Sequence, residues 1–192
     1  MALLDWFAAD HDLRLEGEGV WLRPYRAADY AEWAAVRGRS RGFLQPWEPT
    51  WPSDDLTRVG YRRRMTSYAQ DMERGVAYAF LVFAGRDSAL VGGITLSNVR
   101  RGVAQTGSVG YWVGESSLRK GYATAAVDSL TGFCFQRLGL HRVEAACLPT
   151  NEASQGVLRR AGFRQEGLAR AYLKINGVWR DHLLFGLVNP GG

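Results

Sequence analysis

One stretch constrains this chain more than any other: a strand, a long helix and a second strand in direct succession between residues 108 and 148. Residues 108–113 carry Val109, Tyr111, Trp112 and Val113, side chains that favour extended backbone. Ala123, Val127, Leu130, Cys134 and Leu138 then recur at helical spacing, and residues 142–148 return to a strand pattern. A helical crossover of this length makes the two strands parallel if they share a sheet. The turn into the helix reads Arg119-Lys120-Gly121-Tyr122-Ala123-Thr124. A glycine and small residues at a helix start admit a ligand to the backbone, where unpaired N–H groups and the positive end of the helix dipole hold an anion. The Rossmann and Walker glycine spacings are absent, and a junction of this kind does not by itself define a site.

The remaining elements fall around this unit. A strand over residues 19–24 is closed by Pro24, and Asp29 is the expected N-cap of a helix over 30–37. Residues 38–55, rich in Gly, Pro, Trp and Arg, are expected to be irregular. There Trp47, Trp51 and Pro52 read equally as a substrate-facing surface or as a plug on the core. Asp54 or Asp55 is expected to cap a second helix running to Met72. Strands over 77–84 and 90–98 follow, joined by Gly-Arg-Asp-Ser, with 107–113 as their third partner. Asn151-Glu-Ala-Ser154 opens a further helix that stops at Ala161-Gly162-Phe163, and Asn176-Gly177 joins two last strands over 168–175 and 178–187. Residues 1–15 read as a short N-terminal arm. With no repeat or linker, residues 1–192 are expected to form a single mixed α/β domain.

At this point the chain resembles the GCN5-related N-acetyltransferases (GNAT). In that family the loop before the long helix follows Gln/Arg, two residues, Gly, one residue, then Gly/Ala. Gly121 and Ala123 match the last two positions, while the first falls on Leu118. That departure is tolerable because backbone amides, more than the first side chain, grip the pyrophosphate. The Asn151-x-x-Ser154 start, with Leu158-Arg-Arg-Ala-Gly-Phe163 behind it, looks like the family's second CoA-side segment. Residues 166–182 and Phe43-Leu-Gln-Pro-Trp-Glu48-Pro49 are similar to the RimJ/RimL-type ribosomal-protein N-terminal acetyltransferases, so the resemblance covers nearly all the chain beyond its first fifteen or so residues.

The resemblance implies a mixed, mostly antiparallel α/β (α+β) sheet flanked by helices, with one splayed parallel strand pair and acetyl-CoA in the wedge between them. It implies pantetheine along Tyr111, Trp112 and Val113, pyrophosphate at Arg119, Lys120, Gly121, Tyr122, Ala123 and Thr124, and further CoA contacts from Asn151 and Ser154. Arg119 and Lys120 read otherwise as ordinary exposed turn cations. The implied acceptor is a protein N-terminal α-amine, alanine on a small-subunit ribosomal protein. The rivals are a small amine such as a polyamine, aminoglycoside or amino-acid derivative, and a CoA-binding, ribosome-associated factor with secondary catalysis.

Amine acetylation needs a neutral amine, donors for the oxyanion and stabilisation of the departing thiolate. An α-amine of pKa ~8 is already partly neutral at pH 7, so a carboxylate working through water suffices as base. Glu48 is the first candidate, with a helix cap or a loop salt bridge as its equal alternative. Glu144 is the second if its strand face lines the wedge, and structural if it does not; Glu115 is the third. Family members place a hydroxyl at the thiolate, and Ser154 matches, with a helix-start cap as its other reading. The oxyanion donor is expected from a backbone N–H around Trp112–Val113. Tyr172 and Asp181 read as acceptor-site wall or as a buried Tyr and an ion pair with Arg180.

The formal net charge of +5 and a pI near 9.5 suit an anionic partner. Arg62-Arg63-Arg64 and Arg100-Arg101 read as solvated faces, since no sequence-specific nucleic-acid motif accompanies them. His11, His141 and His182 are scattered, so no metal is expected. No run approaches the ~20 apolar residues of a membrane span. The opening lacks a signal-peptide pattern, and Cys134 and Cys147 read as buried thiols, which together predict a cytoplasmic protein, monomer or dimer.

Overall fold

A computed structural model describes residues 13–85 and 88–191. Its strands are β1 (Leu15–Gly17), β2 (Val20–Pro24), β3 (Tyr78–Ala84), β4 (Ala89–Arg100), β5 (Thr106–Val113), β6 (Arg142–Cys147), β7 (Arg164–Ile175) and β8 (Val178–Val188). Its helices are α1 (Tyr30–Arg39), α2 (Arg41–Leu44), α3 (Arg58–Glu73), α4 (Tyr122–Gln136) and α5 (Glu152–Arg160). The strands form one sheet in the order β1-β2-β3-β4-β5-β6-β8-β7. Every neighbouring pair is antiparallel except β5–β6.

That parallel pair is zipped only from Thr106 opposite Arg142 to Val109 opposite Ala145. Beyond this point β5 stays with β4 as far as Val113 opposite Gly92, and β6 stays with β8 as far as Cys147 opposite Leu183. Each strand keeps its antiparallel partner while the two part from one another, leaving one backbone edge of residues 110–113 without a strand partner. A register shift places Val91 of β4 as an extra residue between the Val82–Gly92 and Phe83–Leu90 pairs, and such a bulge bends and twists the strand locally. Next to it a Cβ on Gly93 would lie 2.6 Å from the Trp112 indole nitrogen, so glycine is what lets that ring lie across β4.

Helix α4 covers one face of the sheet. Its Ala126, Val127, Leu130, Phe133 and Cys134 are buried against Phe80, Val82, Ile94, Leu96, Val109 and Val143. Phe133 meets Tyr78 and Phe80 edge-on, at ring-centroid distances of 5.4 and 5.8 Å. Complete burial of one such large apolar side chain contributes about 1.5–3 kcal/mol, so this stripe anchors the crossover firmly. On the other face Trp33 and Val36 of α1 and Tyr61 of α3 pack on Leu81, Phe83 and Leu90. The alternation Leu81/Phe83 against Phe80/Val82 is the two-residue period of a strand covered on both sides.

Several local expectations change. Residues 38–55 are largely helical at first: α1 reaches Arg39, α2 follows, and a 3₁₀ turn spans Gln45–Trp47. Ser40 carries the chain from one helix to the next, donating its N–H to Val36 and accepting from Leu44, and Pro46 sits in a first turn where no N–H is needed. Asp29 does not cap α1 with its side chain; it accepts a fork from Arg23 at 2.7 and 2.5 Å and the Arg26 N–H at 2.8 Å. Thr57, not Asp54 or Asp55, caps α3 by accepting the Gly60 N–H at 3.1 Å. The two aspartates are taken instead by Arg63 and Arg64. Strand β1 begins at Leu15, where the arm was expected to end, in a stretch given no element; residues 1–12 of that arm, and Arg86 and Asp87 of the β3–β4 turn, lie outside the described residues. At the other hairpin Asn176 and Gly177 both take positive φ, 43° and 81°, as a tight two-residue turn requires.

Candidate active site

The split between β5 and β6 opens a cavity of about 640 Å³. Tyr111, Trp112, Val113, Leu118, Ala123, Asn151 and Ser154 line one part of it, and Arg37, Phe43, Trp47, Glu48, Arg64 and Tyr68 another. The cavity reaches the surface beside Pro49, Leu173 and Lys174, all exposed.

At the start of α4, Gly121 has φ 81° and is the N-cap, with no side chain satisfying the first turn. Nothing lies within 4 Å of where a Cβ would stand there. The N–H groups of the first helical turn at Tyr122, Ala123 and Thr124 have no intrahelical partner and no side-chain cap, and they stand at the positive end of a 15-residue helix, where an anion is stabilised. Arg119 (φ 58°) and Lys120 are exposed beside this turn. Of this group only Ala123 also lines the cavity; Arg119, Lys120, Gly121, Tyr122 and Thr124 stand outside it.

Across the split, Asn151 caps α5 by accepting the Ser154 N–H at 3.0 Å. With the cap supplied by Asn151, the Ser154 hydroxyl is left to make a 2.9 Å bond with the Tyr111 phenol, which also reaches the Ser154 carbonyl at 3.2 Å. Burial pushes the Tyr111 phenol up to about 12, against the opposing effect of its bond to Ser154. Cys147 lines the cavity beside them, its thiol raised by burial and pulled back by Ser154 and Arg159. Both cysteines are free and buried.

Glu48 follows the 3₁₀ turn and lines the cavity, with 20% of its side chain exposed. Arg37 forks onto it, at 3.1 Å to Oε1 and 2.7 Å to Oε2, and the Trp51 indole N–H donates to Oε2 at 2.6 Å. The Glu48 carbonyl accepts the Asn176 N–H at 2.9 Å, which ties this segment to the β7–β8 turn. Trp51 is thus a buried plug, Trp47 faces the cavity and Pro52 is exposed.

Glu144 is a correction. It sits where β5 and β6 are still zipped, opposite Ser108, paired with Arg100 and with Arg142, and Arg142 also holds Glu166. Ala146 and Leu148 of the same face line the cavity, but Glu144 does not reach it and takes the structural alternative. Glu115 is exposed outside the cavity. Tyr172 is exposed rather than buried, and Asp181 accepts the Ala171 N–H at a bulge of β7 (Ala171 φ 46°), not an ion pair with Arg180. The residues that sequence reasoning missed are Arg37, Arg64, Tyr25, Tyr68 and His182, all lining the cavity. Arg64 lay inside a basic run read as a solvated face; its partner Asp55 is buried. His182 is buried, with Nδ1 2.9 Å from the Arg180 carbonyl. Among the described residues no group of three or more His, Cys, Asp or Glu side chains is placed to hold a metal.

A sheet split at its one parallel pair, an anion-ready helix start on one side of the split and a carboxylate on the other are parts that a group transferase drawing on a phosphate-bearing donor needs. Comparison with known proteins narrows this class. Residues 20–164 match the acetyltransferase (GNAT) domain family. The chain is 36% identical over 176 residues to a probable N-acetyltransferase, YjcK, of Bacillus subtilis, covering 92% of this chain and 97% of that one. It is 32% identical to the [ribosomal protein uS5]-alanine N-acetyltransferase of Escherichia coli over 86% of this chain and 82% of the relative. Mycobacterium smegmatis RimJ, solved in complex with CoA-disulfide, superposes with a TM-score of 0.86 at 34% identity, over 93% of this chain and 87% of that one. The chain belongs to the GNAT acetyltransferase family, with acetyl-CoA as its co-substrate.

Proposed function

We propose that this enzyme acetylates the N-terminal α-amine of a protein, alanine on a small-subunit ribosomal protein, in the cytoplasm. The observation that carries the reading is one cavity lined both by Glu48 and by the Tyr111–Ser154 pair, with the partnerless edge of β5 in its wall. The relative that acetylates the alanine of ribosomal protein uS5 supports the acceptor. The exposed mouth beside Pro49, Leu173 and Lys174 supports an acceptor that continues outward as a chain, where a small amine would fit a closed pocket. No helix among the described residues is long and apolar enough to cross a membrane.

In this reading acetyl-CoA lies with its phosphates at the first turn of α4 and its thioester beside residues 110–113. Glu48 accepts a hydrogen bond from the acceptor amine. A carboxylate has roughly four lone-pair positions. Arg37 takes two and Trp51 one, so the remaining position holds the incoming nitrogen. The amine nitrogen attacks the thioester carbonyl carbon, forming the C–N bond, and a backbone N–H of β5 holds the oxyanion. The C–S bond then breaks. The amine's proton passes to Glu48 along that hydrogen bond, and the thiolate takes its proton from the Ser154 hydroxyl, resupplied by Tyr111. After product release Glu48 gives its proton to solvent while Tyr111 takes one back, restoring both groups.

The test is acetyl transfer read by mass spectrometry, with acetyl-CoA and a panel of peptides differing in their first residue, together with polyamines and aminoglycosides. Mass gain on the α-amine of Ala-starting peptides is the expected result. Gain on the small amines alone overturns the protein acceptor and keeps the acetyltransferase.

A further inference from the structure

Arg37 is 6% exposed and belongs to the core between α1 and the sheet. Its guanidinium carries the fork to Glu48, lies 3.8 Å from the buried carboxylate of Asp55, and stacks over Trp51 at 4.1 Å and Trp112 at 4.9 Å. Asp55 in turn is held by Arg64 of α3. One cation therefore touches the segment bearing Glu48, the loop before α3 and, through Trp112, the strand whose free edge faces the split.

Stability alone is a poor reason to keep such a group. Burying an ion pair costs desolvation that its attraction only roughly offsets, and packed apolar side chains are often as stable. The hydrogen bonding here is also incomplete: Arg37 Nε and Asp55 Oδ2 are buried without a hydrogen-bond partner. What the arrangement does supply is direction. A planar fork on both carboxylate oxygens fixes the plane and distance of Glu48, which a point charge does not. The contact of the guanidinium over the Trp112 ring then ties that carboxylate to β5.

We propose that Arg37 is the positioning residue of the acceptor site: clamped between Trp51 and Trp112, it holds the Glu48 carboxylate at the height of the β5 edge, so that an amine bonded to Glu48 meets the thioester carbonyl. This rests on the acceptor role of Glu48 given above. Arg37 acts through Glu48 and touches no reacting atom.

The experiment is a double-mutant cycle of Glu48→Gln and Arg37→Met, with Arg37→Lys beside it, read as kcat and KM for an Ala-starting peptide, Kd for acetyl-CoA, and Tm. Each single variant is expected to lower kcat by at least about tenfold, with the Kd for acetyl-CoA within about twofold. The double variant is expected to be no slower than Glu48→Gln alone, within about twofold, because both remove one function. Arg37→Lys keeps charge and length without the fork, and is expected to lose at least about fivefold in kcat while its Tm stays near that of the parent. An Arg37→Met protein that loses only Tm, losses that multiply in the double variant, or an Arg37→Lys enzyme at parental kcat each overturn the proposal. Unchanged turnover in Glu48→Gln instead removes the acceptor role of Glu48, a different failure. If Arg37→Met does not fold, Arg37→Lys decides.

Discussion

Replacing Tyr111 with Phe deletes one oxygen from the cavity wall and leaves the ring in the core. The phenol gives up a 2.9 Å bond to the Ser154 hydroxyl and a 3.2 Å approach to the Ser154 carbonyl. One proton can serve only one of these well, so the net stability lost is about 1 kcal/mol. For a chain of this size that lowers Tm by about 2–4 °C. The kinetic loss has an upper bound set by the leaving group. A thiol of ordinary pKa ~8.5 leaves as thiolate at pH 7 at a cost of about 2 kcal/mol relative to the protonated form, or about thirtyfold in rate. The Tyr111–Ser154 pair cannot supply much more than that by delivering a proton, and Ser154 alone retains part of it. We therefore expect kcat to fall by between about threefold and about thirtyfold, with the Kd for acetyl-CoA within about twofold.

The assay is single-turnover release of CoA, followed with a thiol-reactive chromophore at saturating peptide, so that product release does not mask the chemical step. Ser154→Ala should cost at least as much as Tyr111→Phe, and the double variant no more than Ser154→Ala. A Tyr111→Phe enzyme with the expected fall in Tm but parental turnover would show that the pair merely braces β5 against α5. A loss of a thousandfold would refute the leaving-group arithmetic.

Two further outcomes are expected. Gly121→Trp places a bulky side chain in the open space at the start of α4, at φ 81°, and should abolish acetyl-CoA binding in calorimetry; undiminished binding would sink the phosphate placement. Stability should also decline in alkali. Burial raises the Cys134 thiol from 9.0 to about 12 and the Tyr111 phenol from 10.0 to about 12, and raises Tyr25 and Tyr61 as well. A folded-state pKa above the unfolded one gives stability that is complete below the unfolded value and lost as pH climbs toward the folded one. Urea midpoints should therefore fall as pH rises from about 9 to about 12, and a flat profile would contradict this burial.

The fold was legible wherever local pattern decided it. The unbroken apolar run of β3, the helical stripe of α4 and the Asn176-Gly177 turn each report a local geometry directly, and the chain obeys them. The failures share a cause. Asp54 and Asp55 sit where a helix cap is expected, but each is bound to an arginine of α3, and a paired arginine outcompetes a backbone N–H for the carboxylate. Asp29 does hold the N-cap position of α1, yet its carboxylate serves Arg23 and the Arg26 N–H instead of the helix. Thr57, with no such suitor, caps α3 instead. Glu144 alternates as a wedge residue should, yet the wedge opens only beyond Val109 and Ala145, and no feature of the β6 sequence marks where two parallel strands part.

The same distinction divides the site. On the proposed donor side, two of the groups are local in sequence: Gly121 with the first turn of α4, and Asn151 with Ser154 three residues on. Such groups lie side by side because a helix start makes them so, and a short motif records them. The proposed acceptor side is assembled from Arg37, Glu48, Trp51, Asp55, Arg64 and Trp112, drawn from α1, the loop after it, α3 and β5. Arg64 shows the consequence. Within its own helix it is one of three consecutive arginines, indistinguishable from a solvated face, and only the folding of the loop before α3 brings Asp55 beneath it. A donor shared across a family can be written into a local motif, whereas an acceptor that differs between members is read by side chains that meet only through packing. It follows that exchanging the segment 38–55 between relatives without its partners on α1 and α3 should disorder the acceptor side. Acetyl-CoA binding, resting on α4 and α5, should survive the exchange.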